Sequence, residues 1–273
     1  MSALASALPP ITPLRLVLVA LAAAAGGAVN SIAGGGTLLT FPALVALGIP
    51  PLPANATSTV ALWPGALGSI WGYRRELTGA RAWALRFAIP SVTGGLLGAL
   101  LLLRTPPDRF AVIVPWLVFA ATLLFVVQRP LMRLVLGHRP STPGDPPAAA
   151  APLAPPPSHI LVYQFGVAVY GGYFGAGIGI FMLAALGFMG LTNIHRMNGL
   201  KNWGGLCINA TAAITFAVSG IVNWPVALAM AAGAVVGGYG GSGVAQRVGQ
   251  EPVRRAIAVI GFGSGLWLLA RGV

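Results

Sequence analysis

Charged residues are scarce in this sequence. Of its 273 residues only 7% are charged and four are acidic, whereas 56% are hydrophobic. A soluble domain carries about a quarter charged residues, because these cover its water-facing surface. Together with a mean hydropathy of +0.84, the shortage of charge predicts an all-α membrane protein that crosses the bilayer several times.

Carboxylates are absent from the long apolar segments. Glu76, Asp108, Asp145 and Glu251 all fall in predicted loops. Proton relays in membranes usually depend on Asp or Glu, and cation-selective pores are ringed by carboxylates. We therefore expect neither, and the remaining hydroxyls, amides and basic groups suit a negative or neutral solute.

Metal-binding and catalytic patterns are also missing. Cys207 is the only cysteine, which excludes a disulfide framework and a thiolate metal site. The histidines His138, His159 and His195 are scattered, and none pairs at ligand spacing. No Ser/His/Asp set lies within the apolar segments. We expect no metal, no cofactor and no enzymatic activity.

Basic residues are the charge that the sequence does have. The formal net charge is +12, which could suggest nucleic acid. However, the basic residues stand between apolar segments rather than in one run. Basic loops beside spans are typical of the cytoplasmic side of a membrane protein. The charge therefore indicates a bilayer, and no nucleic-acid partner is expected.

The apolar segments form two groups of five, separated by a Pro- and Ala-rich linker that we expect to be extended and cytoplasmic. We divide the chain into a first transmembrane repeat (14–130), the linker (131–158) and a second repeat (159–271). The second segment of each group is short, at 37–47 and 180–191. A helix of about 11 residues covers roughly half of a 30 Å hydrocarbon core.

The two groups form an internal repeat. A shift of 143 positions places Gly34 on Gly177 and Asn55 on Asn198. It also places Gly94, Gly95 and Gly98 on Gly237, Gly238 and Gly241. An ordered series of this kind indicates two halves of one architecture.

Basic residues on the connecting loops predict that the halves are inverted. Arg74, Arg75 and Arg81 surround the loop after the third segment, whereas the equivalent residues 219–223 carry no charge. By the positive-inside rule these equivalent loops lie on opposite sides, as in the inverted repeats of many transporters. Inversion requires an odd number of crossings in each half, and three full spans plus a hairpin formed by the first two segments satisfy this. The hairpin is either spanning or re-entrant.

Glycine breaks interrupt the apolar sequence at matching places in the two halves. Backbone groups inside a membrane stay unpaired only where they are buried in protein or line a cavity, and a helix that starts there attracts an anion. The alternative is close helix packing through glycine. The candidate site residues at the breaks are Asn30, Gly34, Gly35, Gly36, Thr37, Gly177 and Gly179.

Polar residues follow each hairpin. The candidates are Asn55, Thr57 and Ser58 in the first half and Asn198, Lys201 and Asn202 in the second. Lys201 is the only lysine, and with Asn198, Asn202 and Asn209 it falls near one helical face. An intramembrane cation indicates a functional site. The alternative is a lysine that reaches the interface, with its ammonium in water.

Several of these motifs resemble the TauE/SafE (sulfite exporter) family. They are residues 30–37 (NSIAGGGT) and 54–58 (ANATS) in the first half, and residues 198–202 (NGLKN), Gly220 and Trp224 in the second. The resemblance implies a multi-pass permease of the bacterial inner membrane. Its substrates would be sulfite, sulfoacetate or other organosulfonates, and it would usually act as an exporter. This chain has NGLKN where its first half has NATST, so the two sides of a site would be chemically unequal.

We therefore expect a transporter of small sulfur-containing anions that works by alternating access between two inverted repeats. A passive anion channel is the alternative within the class, and a non-transporting scaffold subunit is the alternative outside it. The expected partners are the anionic substrate and the lipid bilayer. Oligomeric state, coupling ion, direction and exact substrate stay open.

Overall fold

The computed structural model describes residues 12–32, 34–72, 74–75, 77–136, 153, 155–191, 193–248 and 250–272. Within these residues the chain forms ten helices and no strand, so the all-α prediction is confirmed. The helices are α1 (Pro13–Ile32), α2 (Thr37–Ala46), α3 (Pro51–Gly72), α4 (Arg81–Arg104), α5 (Pro107–Leu136), α6 (Ser158–Tyr173), α7 (Ile178–Phe188), α8 (Ile194–Ser219), α9 (Trp224–Val248) and α10 (Gln250–Arg271).

Three stretches are long and apolar enough to cross a membrane by length and composition. They are Pro13–Asn30, Arg81–Arg104 and Pro107–Val127. Large apolar side chains also stay exposed on the outside of the helices, among them Ile89, Val112 and Val162. A surface of this kind fits lipid rather than water. The prediction of a multi-pass membrane protein is therefore confirmed.

The two short helices occur where the sequence places them. Helix α2 has 10 residues and begins at Thr37. Helix α7 has 11 residues and begins at Ile178, two residues earlier than expected. Gly34 and Gly177 both have positive φ, at 78° and 82°. Because side chains disfavour that conformation, glycine allows the chain to turn between each long helix and its short partner.

Helices α3 and α8 begin four residues earlier than predicted. Pro51 stands at the first position of α3, where a missing N–H costs nothing. Asn193 caps α8, because its side-chain oxygen accepts hydrogen bonds from the backbone N–H groups of His195 and Arg196, both at 3.0 Å. Asn55 and Asn198 therefore lie inside their helices rather than at the start.

Helix α5 continues through Leu136, so residues 131–136 of the predicted linker are helical. Residues 137–152 and 154, which make up most of that linker, lie outside the described residues.

Helices of one half pack mainly against helices of the other. Helix α1 packs on α9 and α6 packs on α4; α3 packs on α9 and α8 packs on α4. These contacts follow the internal repeat. When every helix is replaced by its equivalent in the other half, the contact of α1 with α9 becomes that of α6 with α4, and the contact of α3 with α9 becomes that of α8 with α4. Two equivalent contacts show this at the level of residues. Gly95 lies against Ile208 and Gly238 lies against Gly65. The shift of 143 relates Gly95 to Gly238 and Gly65 to Ile208.

The close contacts also fix the directions of α4, α6 and α8. Contacts between α4 and α6 advance along both helices together, from Gly94 with Phe165 to Gly98 with Tyr173. Contacts between α4 and α8 also advance along both helices together. The Trp203 indole N–H donates to the Ala84 carbonyl at 2.9 Å, and Gly95 contacts Ile208 nearer the end of both helices. These three helices therefore begin at one face of the protein, which we call face A.

Helices α1, α3 and α9 share the other direction. Gly233 lies against Ala20 and Gly237 against Ala24, so α1 and α9 run parallel. The contacts of Gly65 with Ala234 and of Gly68 with Tyr239 align α3 with α9. The connection between α3 and α4 has eight residues, of which 74–75 and 77–79 lie in turns, and it is too short to recross a helix of 22 residues. Hence α1, α3 and α9 begin at the opposite face, face B.

Candidate functional site

The two glycine breaks meet inside the protein. A Cβ placed on Gly34 would lie 3.0 Å from the Cα of Gly179. The end of α1 and the start of α7 therefore approach each other through backbone, which any side chain at Gly34 would obstruct. The contact brings together the two breaks that the sequence places 143 residues apart.

A polar cavity lies beside this contact, on the side of face A. Five of the predicted site residues line it, namely Asn30, Gly34, Gly179, Lys201 and Asn202. Asn209, predicted on the same helical face as Lys201, lines it as well. The volume of the cavity is about 30 Å³, which is room for about two waters.

Lys201 is the only charged residue in the described wall of the cavity. Its side chain is 2% exposed, and its Nζ has no hydrogen-bond partner among the described residues. The alternative of a lysine at the interface, with its ammonium in water, does not fit this burial. An ammonium without a partner is costly in a site of low dielectric constant. An anion in the cavity would remove that cost.

Neutral hydrogen-bonding groups line the same cavity as the lysine. They include Asn30, Asn209 and Ser69, and the side-chain amide nitrogen of Asn202 is buried with no hydrogen-bond partner among the described residues. The first residues of α7, Ile178 and Gly179, form part of the wall. The first N–H groups of a helix lack acceptors within the helix and carry a partial positive charge. The described residues of the cavity wall thus offer hydrogen-bond donors and one cation, and they include no carboxylate.

The first-half polar candidates lie elsewhere, towards face B. The Asn55 side-chain amide donates to the Tyr173 carbonyl at 3.0 Å, and the Thr57 hydroxyl accepts from the Asn223 backbone N–H at 3.0 Å. The Ser58 hydroxyl shares a hydrogen bond of 2.6 Å with the Thr40 hydroxyl. These groups hold helices of the two halves and of the first hairpin together, and they do not line the cavity.

The remaining candidates are not among the residues that line the cavity. Gly35 lies against the Phe125 ring, Gly36 against the Gly26 backbone and Gly177 near Ala121. Thr37 is the half-buried first residue of α2. Asn198 is half-buried, and its side-chain oxygen has no hydrogen-bond partner among the described residues.

Some cavity residues were not predicted. They are Ala66, Ser69, Ile178, Met182, Gly205 and Leu206. Two signals could have found part of this set. Gly205 follows Asn202 at a spacing of three and precedes Asn209 by four, which continues the polar face of α8. Ala66 is the position equivalent to Asn209 under the shift of 143.

Comparison with known proteins identifies the family. Residues 18–268 match the family model described as Sulfite exporter TauE/SafE. The chain belongs to the TauE/SafE family. The relatives match most of this chain. A probable membrane transporter protein, ORF9, from Sinorhizobium sp is 30% identical over 260 residues, covering 93% of this chain and 92% of the relative.

Other relatives of this TauE/SafE protein carry similar descriptions. The probable membrane transporter protein YfcA from Escherichia coli K12 is 29% identical over 260 residues, covering 92% of this chain and 88% of YfcA. A probable membrane transporter protein from Haemophilus influenzae is 27% identical, with 86% of each chain covered. No solved structure matches. The chain is a multi-pass protein of a bacterial inner membrane and belongs to a family of transporters.

Proposed function

We propose that this TauE/SafE protein exports small sulfur-containing anions, such as sulfite, sulfoacetate or other organosulfonates, and binds them at Lys201. The observation that carries the proposal is Lys201, which lines a cavity at the meeting point of the two glycine breaks and whose buried Nζ has no hydrogen-bond partner among the described residues. Sulfonate and sulfite oxygens are strong acceptors, and a charge-assisted hydrogen bond to the ammonium is shorter and stronger than a neutral one.

The anion would be held by several groups. Lys201 supplies the charge, while the amides of Asn30, Asn202 and Asn209 and the start of α7 supply donors around it. The N-terminal end of a helix favours negative charge. A three-oxygen sulfur group presents acceptors in several directions, which suits donors that arrive from three different helices.

We further propose that the two halves are inverted repeats and that transport proceeds by alternating access. In support, α4, α6 and α8 begin at face A, whereas their respective equivalents α9, α1 and α3 begin at face B. The basic residues Arg74, Arg75 and Arg81 lie at face A, which makes that face cytoplasmic.

We assign the structure to a state that would open towards the cytoplasm, because the residues lining the cavity lie nearer face A. Ser69 lies one turn from the end of α3 at face A, and Lys201 lies two turns from the start of α8 at the same face. Towards face B the path is closed. Phe41 and Phe174 meet edge to face at 5.6 Å between ring centroids, and Tyr173 packs on Phe110 at 5.9 Å.

Reconstitution into proteoliposomes tests the function against its alternatives. A carrier gives saturable counterflow of labelled sulfite, in which unlabelled anion on one side drives labelled anion from the other. A channel gives conductance that does not saturate, and a scaffold gives no flux. Counterflow that is absent in a folded preparation, with or without conductance, would contradict the proposal of alternating access.

A further inference from the structure

The described residues of the cavity wall carry a single positive charge. Lys201 contributes one positive charge, and every other described lining residue is neutral. Arg196 is also buried on α8, but it does not line the cavity. The side chain of Lys201 is 2% exposed, so bulk water screens its charge poorly.

We infer that the site selects its ligand by charge, taking singly charged tetrahedral oxyanions in preference to doubly charged ones. This inference rests on the proposed anion site at Lys201. A monoanion beside the single ammonium leaves the occupied cavity without net charge. A dianion of the same shape leaves one negative charge uncompensated in a poorly solvated site, where its lost hydration is not repaid by a second cation.

The neutral groups do not change this preference. The amides of Asn30, Asn202 and Asn209 can donate hydrogen bonds to either kind of anion. Hydrogen bonds from neutral donors satisfy oxygens but supply no full charge. The neutral donors therefore bind the oxygens of either anion, and the single ammonium selects the monoanion.

The inference narrows the proposed substrates. Hydrogen sulfite and alkyl monosulfonates carry one charge each, whereas sulfoacetate carries a sulfonate and a carboxylate. We expect the cavity to favour the first group.

The test compares methanesulfonate with sulfate, which share a tetrahedral sulfur with three matching oxygens and differ in charge. Affinity is measured by titration calorimetry on the purified full chain in lipid nanodiscs, and independently by inhibition of labelled sulfite counterflow. We expect methanesulfonate to bind at least about tenfold more tightly than sulfate. In Lys201→Gln both anions should bind weakly, with the difference between them reduced to about twofold or less.

A second variant reverses the balance. Asn209 is half-buried at the cavity wall, so Asn209→Lys adds a second cation where a side chain already reaches the ligand space. Sulfate should gain affinity over methanesulfonate by about tenfold or more in this variant. Asn209→Gln is the matched control for side-chain size and should keep the preference for methanesulfonate.

The outcomes separate this inference from the proposed function. Sulfate that binds the parent as tightly as methanesulfonate, with both affinities dependent on Lys201, overturns the charge selection and leaves the anion site in place. A preference for methanesulfonate that survives in Lys201→Gln also overturns it, because the lysine would not be its cause. Failure of both anions to bind the folded parent overturns the proposed site together with the inference.

Discussion

Lys201 and Ser58 occupy equivalent positions of the two halves but have opposite surroundings. Lys201 lines the cavity and its Nζ has no hydrogen-bond partner among the described residues, whereas the Ser58 hydroxyl is hydrogen-bonded to Thr40 at 2.6 Å. The same backbone position thus carries a cation towards face A and a satisfied hydroxyl towards face B. This difference makes the proposed site one-sided, with its charge on a single half.

The first prediction concerns Lys201. We expect Lys201→Gln to fold and insert but to lose most anion transport, with affinity falling by about 5- to 150-fold, the scale of a charge-assisted hydrogen bond of about 1–3 kcal/mol. Lys201→Arg should keep part of the activity, because the charge survives in a larger, forked group. Uptake of labelled sulfite into vesicles, normalised to folded protein, measures both.

Arg104→Gln is the control for this prediction, since Arg104 is an exposed basic residue at the end of α4 and does not line the cavity. It should transport at near-parental rates. Parental rates in Lys201→Gln would remove the lysine from the site and leave the glycine breaks as the anchor for the anion.

The second prediction concerns the contact between the two breaks. Gly34→Ala should destabilise the protein by about 1–3 kcal/mol, because it places a side chain at positive φ and pushes a Cβ against the Gly179 backbone. Flux should fall with stability. Gly166→Ala is the matched control, since nothing lies within 4 Å of its added Cβ. Thermal unfolding in detergent measures both variants, and an equal melting temperature for the two would argue against the tight contact.

The third prediction concerns closure at face B. Ser58→Ala removes the hydrogen bond to Thr40. The Thr40 hydroxyl keeps a second hydrogen bond, which it donates to the Gly36 carbonyl at 3.3 Å. A net loss of about 1 kcal/mol should shift the population towards a state open at face B by about fivefold. The labelling rate of a cysteine placed at Thr59 in a Cys207→Ala background, with an impermeant thiol reagent, reports that opening.

Thr93→Ala is the control for closure, because the Thr93 hydroxyl bonds to carbonyls of its own helix at Ile89 and Pro90. It should leave the labelling rate unchanged. If Ser58→Ala and Thr93→Ala gave the same rate, the hydrogen bond between Ser58 and Thr40 would have no part in closing face B.

The fourth prediction concerns orientation. In a Cys207→Ala background, a cysteine at Thr78, in the connection between α3 and α4, should be shielded from an impermeant thiol reagent added to intact cells. A cysteine at Ser219, at the end of α8, should be labelled, because it lies at the opposite face. Both positions are exposed. Labelling of both from outside, in cells shown to be sealed, would rule out the inverted arrangement.

Much of the architecture could be predicted from the sequence. The scarcity of charge predicted the membrane, since water-facing surface needs charged residues. The glycine breaks located α2 and α7, because glycine tolerates the positive φ that Gly34 and Gly177 adopt. The boundaries of α3 and α8 were harder to place. The proline and asparagine that start those helices act through local hydrogen bonding rather than through apolar periodicity.

The sequence by itself identified part of the candidate site, and only the tertiary structure decided which of the other polar residues line the same cavity. Uniqueness and helical spacing singled out Lys201, Asn202 and Asn209, since neighbours on a helix face follow from spacing alone. Nothing in the spacing separated Asn30, which lines the cavity, from Asn55, which is bonded to the Tyr173 carbonyl. That difference depends on how the two halves pack, through contacts such as Gly34 with Gly179 between residues distant in sequence.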